Sequence, residues 1–303
     1  MLLQLYYYGS YPYRWQRNRS DAVKGISPAT VIYFHRIADD LANDWTTSNR
    51  QFARQITWLE SRFELVSLEE VQRRVRAGTN RRPCVSITFD DGYADNAHQA
   101  IPLLVQKRIP CTYFVTLRNV LEGRPFAHDL AQGNRFAPNT LEQLRAMARA
   151  GVEIGAHCRD HVDLGPIHDP ARLRDELVVS RDALRDAVDS PVRYFAFPFG
   201  LYANMNSEAC RIAREAGYAG VCSGYGGYNF PGDDPFHLQR IAADRRMIRL
   251  KNRVSVDPRK VDVPRFEYLE ATTEAVDSLN HALAPTTRPE DSLSDCQPET
   301  LKS

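Results

Sequence analysis

The chain reads as an α/β protein with a largely parallel sheet covered by helices, built either as a barrel or as an open doubly wound sheet. Two observations carry this reading. Short β-branched and aromatic runs recur along the chain, and helical patterns with legible ends separate many of them. Size agrees: 303 residues, 43% hydrophobic and 25% charged, supply a real core, and a chain of this length can form a single barrel.

Taken in order, residues 1–29 open with MLLQLYYYGSYPYRWQRNR, apolar first and basic after, without a charged leader or a small-residue cleavage site. That makes a poor secretory signal and predicts an ordered arm packed on the domain, with contact to a membrane surface or partner as the alternative. The first strand is TVIYFHRI at 30–37. A helix follows Ser48, with Phe52, Ile56 and Leu59 on one face. After a short run at 63–66, Ser67 and Glu70 have the spacing of a capping box, Leu68, Val71 and Val75 form a stripe, and Gly78 suits a C-cap.

Further strands are expected at 84–89, 111–115 (CTYFV), 152–156, 194–197 and 220–222, and a last one around His237 to Ile241. A helix from Thr140 runs through Leu144 and Met147 to Gly151. Another starts at Pro170, and its stripe of Leu173, Leu177, Leu184 and Val188 contains one shift of face. Beyond 256 the pattern fades. The predicted organisation is an arm at 1–29, a catalytic domain at 30–256 and a loosely ordered extension at 257–303.

The bulk charge excludes some functions. Lys plus Arg number 39 and Asp plus Glu 38, a net of +1, which is not the basic surplus of a nucleic-acid binder. No apolar run approaches the roughly 18 residues of a membrane span. Six cysteines show no C-x-x-C pairing, and Cys84, Cys111 and Cys222 fall in strand-like runs, so a reducing compartment is expected; with no readable signal peptide or span the expected location is cytoplasmic, with an extracytoplasmic one as the alternative.

The chemistry concentrates at strand ends. VSITFDDG is a strand built for burial that ends in Asp90 and Asp91, and an unpaired carboxylate there needs water or a cation. EIGAHCRDH ends another strand in His157 and His161. Alone, the aspartates read as a turn or helix cap and the histidines as a helix-surface coincidence. Both pairs at one mouth make a sensible ligand set for a divalent metal. Cys158 is expected to point away from that mouth. Pro198-Phe199-Gly200 follows a third strand in a turn that can aim a backbone N–H at a pocket, and His35 ends the first strand as a candidate acid or base.

TFDDG, the H-x-x-x-H pair and the Pro-Phe-Gly turn, in this order, resemble the polysaccharide deacetylase family, the NodB-homology group of carbohydrate esterase family 4, over roughly residues 30–243. The resemblance implies a deformed (β/α) barrel of about seven parallel strands in a single domain. It further implies hydrolysis of acetyl groups on a glycan, with a divalent metal, zinc first and cobalt, nickel or iron as alternatives. Residue by residue, it makes Asp90 the catalytic base, Asp91, His157 and His161 the metal ligands, and Phe199, with Pro198 and Gly200, the oxyanion-binding turn.

Two departures stand out. Ala196 occupies the place of the family's base-orienting arginine, and the usual late Leu-x-x-His acid is not evident. Both gaps resemble the permuted branch of poly-β-1,6-N-acetylglucosamine deacetylases, which implies His35 as the acid, with His237 in competition. Arg240 is the expected substitute for the missing arginine. Phe126 to Asp129 reads as a solvated loop, with shaping of a substrate groove as the alternative. A metal-dependent hydrolase of a non-sugar amide and a glycan-binding pseudoenzyme are the rival functions; the oligomeric state stays open.

Overall fold

The computed structural model describes residues 2–268. The sheet is built from β1 (Ala29–Phe34), β2 (Glu64–Leu65), β3 (Cys84–Phe89), β4 (Cys111–Val115), β5 (Glu153–Ala156), β6 (Tyr194–Ala196), β7 (Gly220–Cys222), β8 (His237–Leu238) and β9 (Arg240–Ala242). Every strand pair is parallel, in the order β8-β7-β6-β5-β4-β3-β1-β9, with β2 beside β3.

β8 and β9 are one extended run interrupted at Gln239, and its two halves pair with the opposite ends of the sheet. Residues 237–242 therefore bring the two sheet edges together into a nearly closed barrel. Counting that run once and leaving β2 aside gives the seven-stranded deformed barrel that the family resemblance implies.

The central strands β3 and β4 are buried on both faces, as parallel strands between helices and a barrel interior must be. Helical stripes cover the outside. Phe52, Ile56 and Leu59 of Asn49–Glu60 and Leu144 and Met147 of Leu141–Arg149 join one core with the strand residues. The Thr140 cap is a complete capping box with Gln143. At Ser67 only half of the expected box forms, because the Glu70 carboxylate turns outward to Arg73 and Arg74. The face shift after Pro170 is a π-helical turn, Asp175–Val179, between α-helices Pro170–Arg174 and Ser180–Val188.

The N-terminal residues form two helices, Leu2–Gly9 and Tyr11–Lys24. Buried Arg14 donates to Asn252 Oδ1 (2.5 Å) and to the Asn252 carbonyl (3.0 Å), and the Tyr6 hydroxyl donates to Asp257 Oδ1 (2.9 Å). Asp257, at the start of the expected loose extension, is buried, and residues up to 268 are placed; the rest of that extension lies outside the described residues. Cys84, Cys111, Cys158, Cys210 and Cys222 are buried free thiols. No helix among the described residues is long and apolar enough to cross a membrane.

Candidate active site

Parallel pairing decides which residues meet. Phe34 is in register with Phe89, Phe89 with Tyr113, and Val115 with Ala156, so the residues that follow β1, β3 and β5 emerge at one mouth. His35, Asp90, Asp91, His157, His161 and Arg240 all line a cavity of about 260 Å³ there. Four residues at this mouth, Asp91, Cys158, His161 and Phe199, have φ between +54° and +72° without being glycine. Such backbone is costly, and its concentration here marks a place where side-chain direction outweighs local comfort.

Asp91, His157 and His161 offer ligand atoms that all lie within 4.8 Å of one another. His157 Nε2 is 3.4 Å and His161 Nε2 3.1 Å from Asp91 Oδ1, yet that buried oxygen accepts no hydrogen bond. On the far side of the His157 ring, Nδ1 lies 2.7 Å from the Ala196 carbonyl oxygen, which can only accept. Nδ1 therefore carries the proton, and in the neutral ring Nε2 turns a bare lone pair toward Asp91. Two imidazole nitrogens and one orphaned carboxylate oxygen fit a divalent cation such as zinc. Burial pushes the Asp91 carboxyl up, but the histidines in their protonated, donating form outweigh it and hold the group well below the usual carboxylate range, a role that a bound cation would take over when the rings are neutral.

Asp90 has a different environment. Arg240 Nη1 donates to its Oδ1 at 2.6 Å and Nη2 to its Oδ2 at 2.9 Å, a bidentate clamp that is 1% exposed at the arginine and 3% at the aspartate. Arg240 is itself fixed, with Nε donating to the Ser223 carbonyl at 2.9 Å and Nη1 to Thr88 Oγ1 at 3.1 Å. Burial raises the Asp90 carboxyl, while Arg240, His157 and His35 more than offset it, so the group stays ionised below its ordinary range. The arginine expected from the last strand thus reaches the aspartate that the sequence singles out. Ala196, where the family places its arginine, contributes a carbonyl to His157 instead.

The third motif divides. Phe199 is 54% exposed, its ring lies 5.1 Å from that of His161, and its N–H has no protein acceptor among the described residues. Pro198 and Gly200 do not line the cavity; they make the turn that presents Phe199. Gly200 has φ +62°, and a Cβ there would sit 2.7 Å from the Gly224 nitrogen, so glycine is required. His35 lies at the cavity wall between Tyr33 and Trp45, with ring centroids 5.6 and 6.1 Å away. His237 is elsewhere. It is buried beneath β7 with Nε2 3.0 Å from Ser223 Oγ, and burial pushes its pKa down to about 4, so it is neutral at pH 7 and cannot compete as the acid.

Two features escape the sequence reading, and a third is read there only as the alternative to a solvated loop. The segment expected as a solvated loop is the short helix Ala127–Leu130, and it sets His128 into the cavity wall, Nε2 2.9 Å from the Tyr93 hydroxyl and 3.8 Å from Asp91 Oδ2. Fully buried Asp129 braces it by accepting from Tyr93 (2.6 Å) and from Asn43 (2.9 Å). Trp45 stands beside His128 in the same wall, with ring centroids 5.7 Å apart. Lastly, buried Glu176 in the π-helical turn accepts from the backbone N–H groups of Arg159 and Asp160, both at 3.1 Å, and so fixes the loop between the two histidines. Only long-range packing joins these residues to the site, and no local spacing announces them.

Comparison with known proteins agrees with this geometry. A family model described as polysaccharide deacetylase matches residues 77–221. The Bacillus subtilis protein YxkH, whose name places it among the polysaccharide deacetylases, is 25% identical over 202 residues, 65% of each chain. A poly-beta-1,6-N-acetyl-D-glucosamine N-deacetylase of Staphylococcus aureus is 26% identical over 195 residues, 61% of this chain and 63% of its own. The chain thus matches just under two thirds of the length of these relatives. The fold is shared with IcaB from Ammonifex degensii (TM-score 0.62, 22% identity, 76% of this chain and 98% of that one). It is shared equally with the Streptococcus pyogenes deacetylase PplD (TM-score 0.63, 21% identity, 76% and 99%). The stretch 77–221, which carries Asp90, Asp91, His157, His161 and Phe199, is thus similar to the polysaccharide deacetylase family, and the barrel around it has the fold of solved deacetylases.

Proposed function

We propose that this protein is a metal-dependent deacetylase that hydrolyses N-acetyl groups on a glycan of N-acetylglucosamine type. One observation carries the reading: a single cavity holds an ionised carboxylate clamped by arginine and, separately, an Asp-His-His cluster whose lone pairs converge. An amide hydrolase needs both, a base kept free of the metal and ligands kept free of the base. The poly-beta-1,6-N-acetyl-D-glucosamine deacetylase among the relatives supports a β-linked N-acetylglucosamine polymer as the substrate.

Asp91, His157 and His161 would hold the ion. When bound there, a divalent cation polarises the acetyl carbonyl and acidifies water, so that a carboxylate of lowered basicity suffices as base. Asp90 takes the proton as water attacks the acetyl carbon, and Arg240 keeps its two oxygens aimed throughout. The free N–H of Phe199 is the donor for the oxyanion that develops, and such a donor contributes about 3 kcal/mol in the transition state. His35, on the other wall, gives a proton to the amide nitrogen as the C–N bond breaks. Acetate and a free amine leave.

The test is acetate release from β-1,4 and β-1,6 N-acetylglucosamine oligomers, and ring opening of small cyclic imides, using protein stripped with chelator and resupplied with zinc, cobalt or nickel. Metal-dependent release from one or both oligomers is expected. Turnover of the imides with the oligomers untouched would replace the glycan by a non-sugar amide.

A further inference from the structure

Beside the catalytic cavity lies a second one of about 340 Å³, and the two share Tyr33, His35 and Trp45 as a common wall. Its remaining lining mixes Phe34, two threonines and two alanines with six charged residues. Four guanidinium groups, from Arg245, Arg246, Arg249 and Arg253, face two carboxylates, from Asp44 and Asp244, an excess of two positive charges. The pairing is uneven. Asp244 Oδ2 is taken by Arg249 Nη1 at 3.1 Å and by Arg253 Nη2 at 3.6 Å, and Arg253 also donates to the Ala242 carbonyl. Arg245 and Arg246 are exposed and form no ion pair among the described residues.

The same sign continues outward. The adjoining open groove, between helices Asn49–Glu60 and Met247–Val254, is lined by Arg50, Arg54 and Lys251 and by no carboxylate. A chain with a net charge of only +1 has therefore gathered unpaired cations along one path that starts at the catalytic wall. Nothing in amide hydrolysis of a neutral sugar calls for this.

We propose that the second cavity is a substrate subsite for an anionic group, a phosphate or a carboxylate, carried next to the acetylated sugar, with Arg245 and Arg246 as the residues that select it. This rests on the deacetylase reading and narrows it: the substrate is an anionic glycan and not a neutral homopolymer. Guanidinium forks match both anions bidentately, and a concave site walled by Tyr33, His35 and Trp45 suits a sugar-borne group better than a flat lipid surface. Because the wall is shared, an anion seated against Arg245 and Arg246 orients the neighbouring sugar across His35.

The experiment compares kcat/KM of the zinc-loaded protein for three substrates of equal length: a neutral N-acetylglucosamine oligomer, one carrying a phosphate, and one in which a neighbouring unit is a uronic acid. Wild-type protein is expected to favour at least one anionic substrate by about tenfold or more, since each charge-assisted contact is worth about that factor. The ratio should fall toward one in the double variant Arg245→Gln, Arg246→Gln and in high salt. The phosphate and uronate arms identify which anion is read. Equal kcat/KM for all three substrates, or a preference that survives in the double variant, overturns the proposal. Binding of full-length Asp90→Asn protein to the same oligomers separates this from failure of the deacetylase reading. If acetate is released from nothing, tighter binding of an anionic oligomer than the neutral one, lost in the Arg245→Gln, Arg246→Gln background, still supports the subsite. Equal binding to all oligomers, with attachment to phosphatidylglycerol vesicles instead, would assign these arginines to a membrane surface and overturn it.

Discussion

At the scale of single residues, the site is defined by which carboxylate meets which partner. Asp90 and Asp91 are adjacent and both buried, yet one faces an arginine fork and the other the Nε2 atoms of two histidines. Strand alternation explains the split: neighbours leaving a strand point to opposite sides, and the positive φ of Asp91 completes the turn. Replacing Arg240 by alanine would leave a buried carboxylate without its counter-charge. A loss of about 3–5 kcal/mol in stability is expected, measurable by urea unfolding. Without the guanidinium, burial would push the Asp90 carboxyl upward, so the acid limb of the pH–rate profile should move to higher pH; an unmoved limb would show that Arg240 does not hold the base. Asp90, Asp91, His157 and His161 were all legible as residues because they end apolar runs. Arg240 was legible only as a cation at the last strand, and its partner followed once the resemblance left Asp90 without an arginine.

At the scale of elements, the π-helical turn Asp175–Val179 deserves its place among the functional parts. The sequence shows it as a shift of hydrophobic face between Leu177 and Leu184, a defect in an otherwise regular stripe. The extra residue in that turn lets Leu173, Leu177, Leu184 and Val188 all stay buried while Glu176 points back at the loop between His157 and His161. Asp175 adds an ion pair to Arg159 at 2.5 Å. Glu176→Ala is expected to weaken zinc binding by about 10–100-fold, as for other residues that orient ligands from behind. Competition against a chromophoric chelator measures it, with Glu176→Gln, which retains an acceptor, expected to lose less. Unchanged affinity in Glu176→Ala would reduce the turn to packing. The helix Ala127–Leu130 teaches the converse. Its four residues are too few to show a period, so His128 and Asp129 read as loop although Tyr93 and Asn43 hold them at the cavity.

At the scale of the whole molecule, the barrel closes through one short run, residues 237–242, which places Arg240 inside and His237 beneath the sheet. The alternation of strands and helices in the sequence identified the α/β class, but it could not choose between an open sheet and a barrel. That choice lies in pairing between β1 and β9, about two hundred residues apart, which no local pattern encodes. His237 makes the closure sensitive to acid. Its pKa in the folded protein is about 4, below the roughly 6.5 of an unfolded chain, so between these values the unfolded state binds the proton and the folded state does not. Stability should therefore fall as pH drops from about 6.5 to about 4, by on the order of 3 kcal/mol. His237→Gln should flatten that slope in urea melts taken across the window, and an equal slope in the variant would remove His237 as its cause. The central claim, that one mouth of this barrel keeps a free base beside a separate metal-binding cluster, is tested most directly by measuring zinc stoichiometry and acetate release on the same samples of wild type, Asp90→Asn and His157→Ala. Asp90→Asn is expected to bind one zinc and lose about 10²-fold or more in rate, and His157→Ala to lose both metal and activity. Near-normal turnover by Asp90→Asn, or undiminished zinc binding by His157→Ala, would contradict the account.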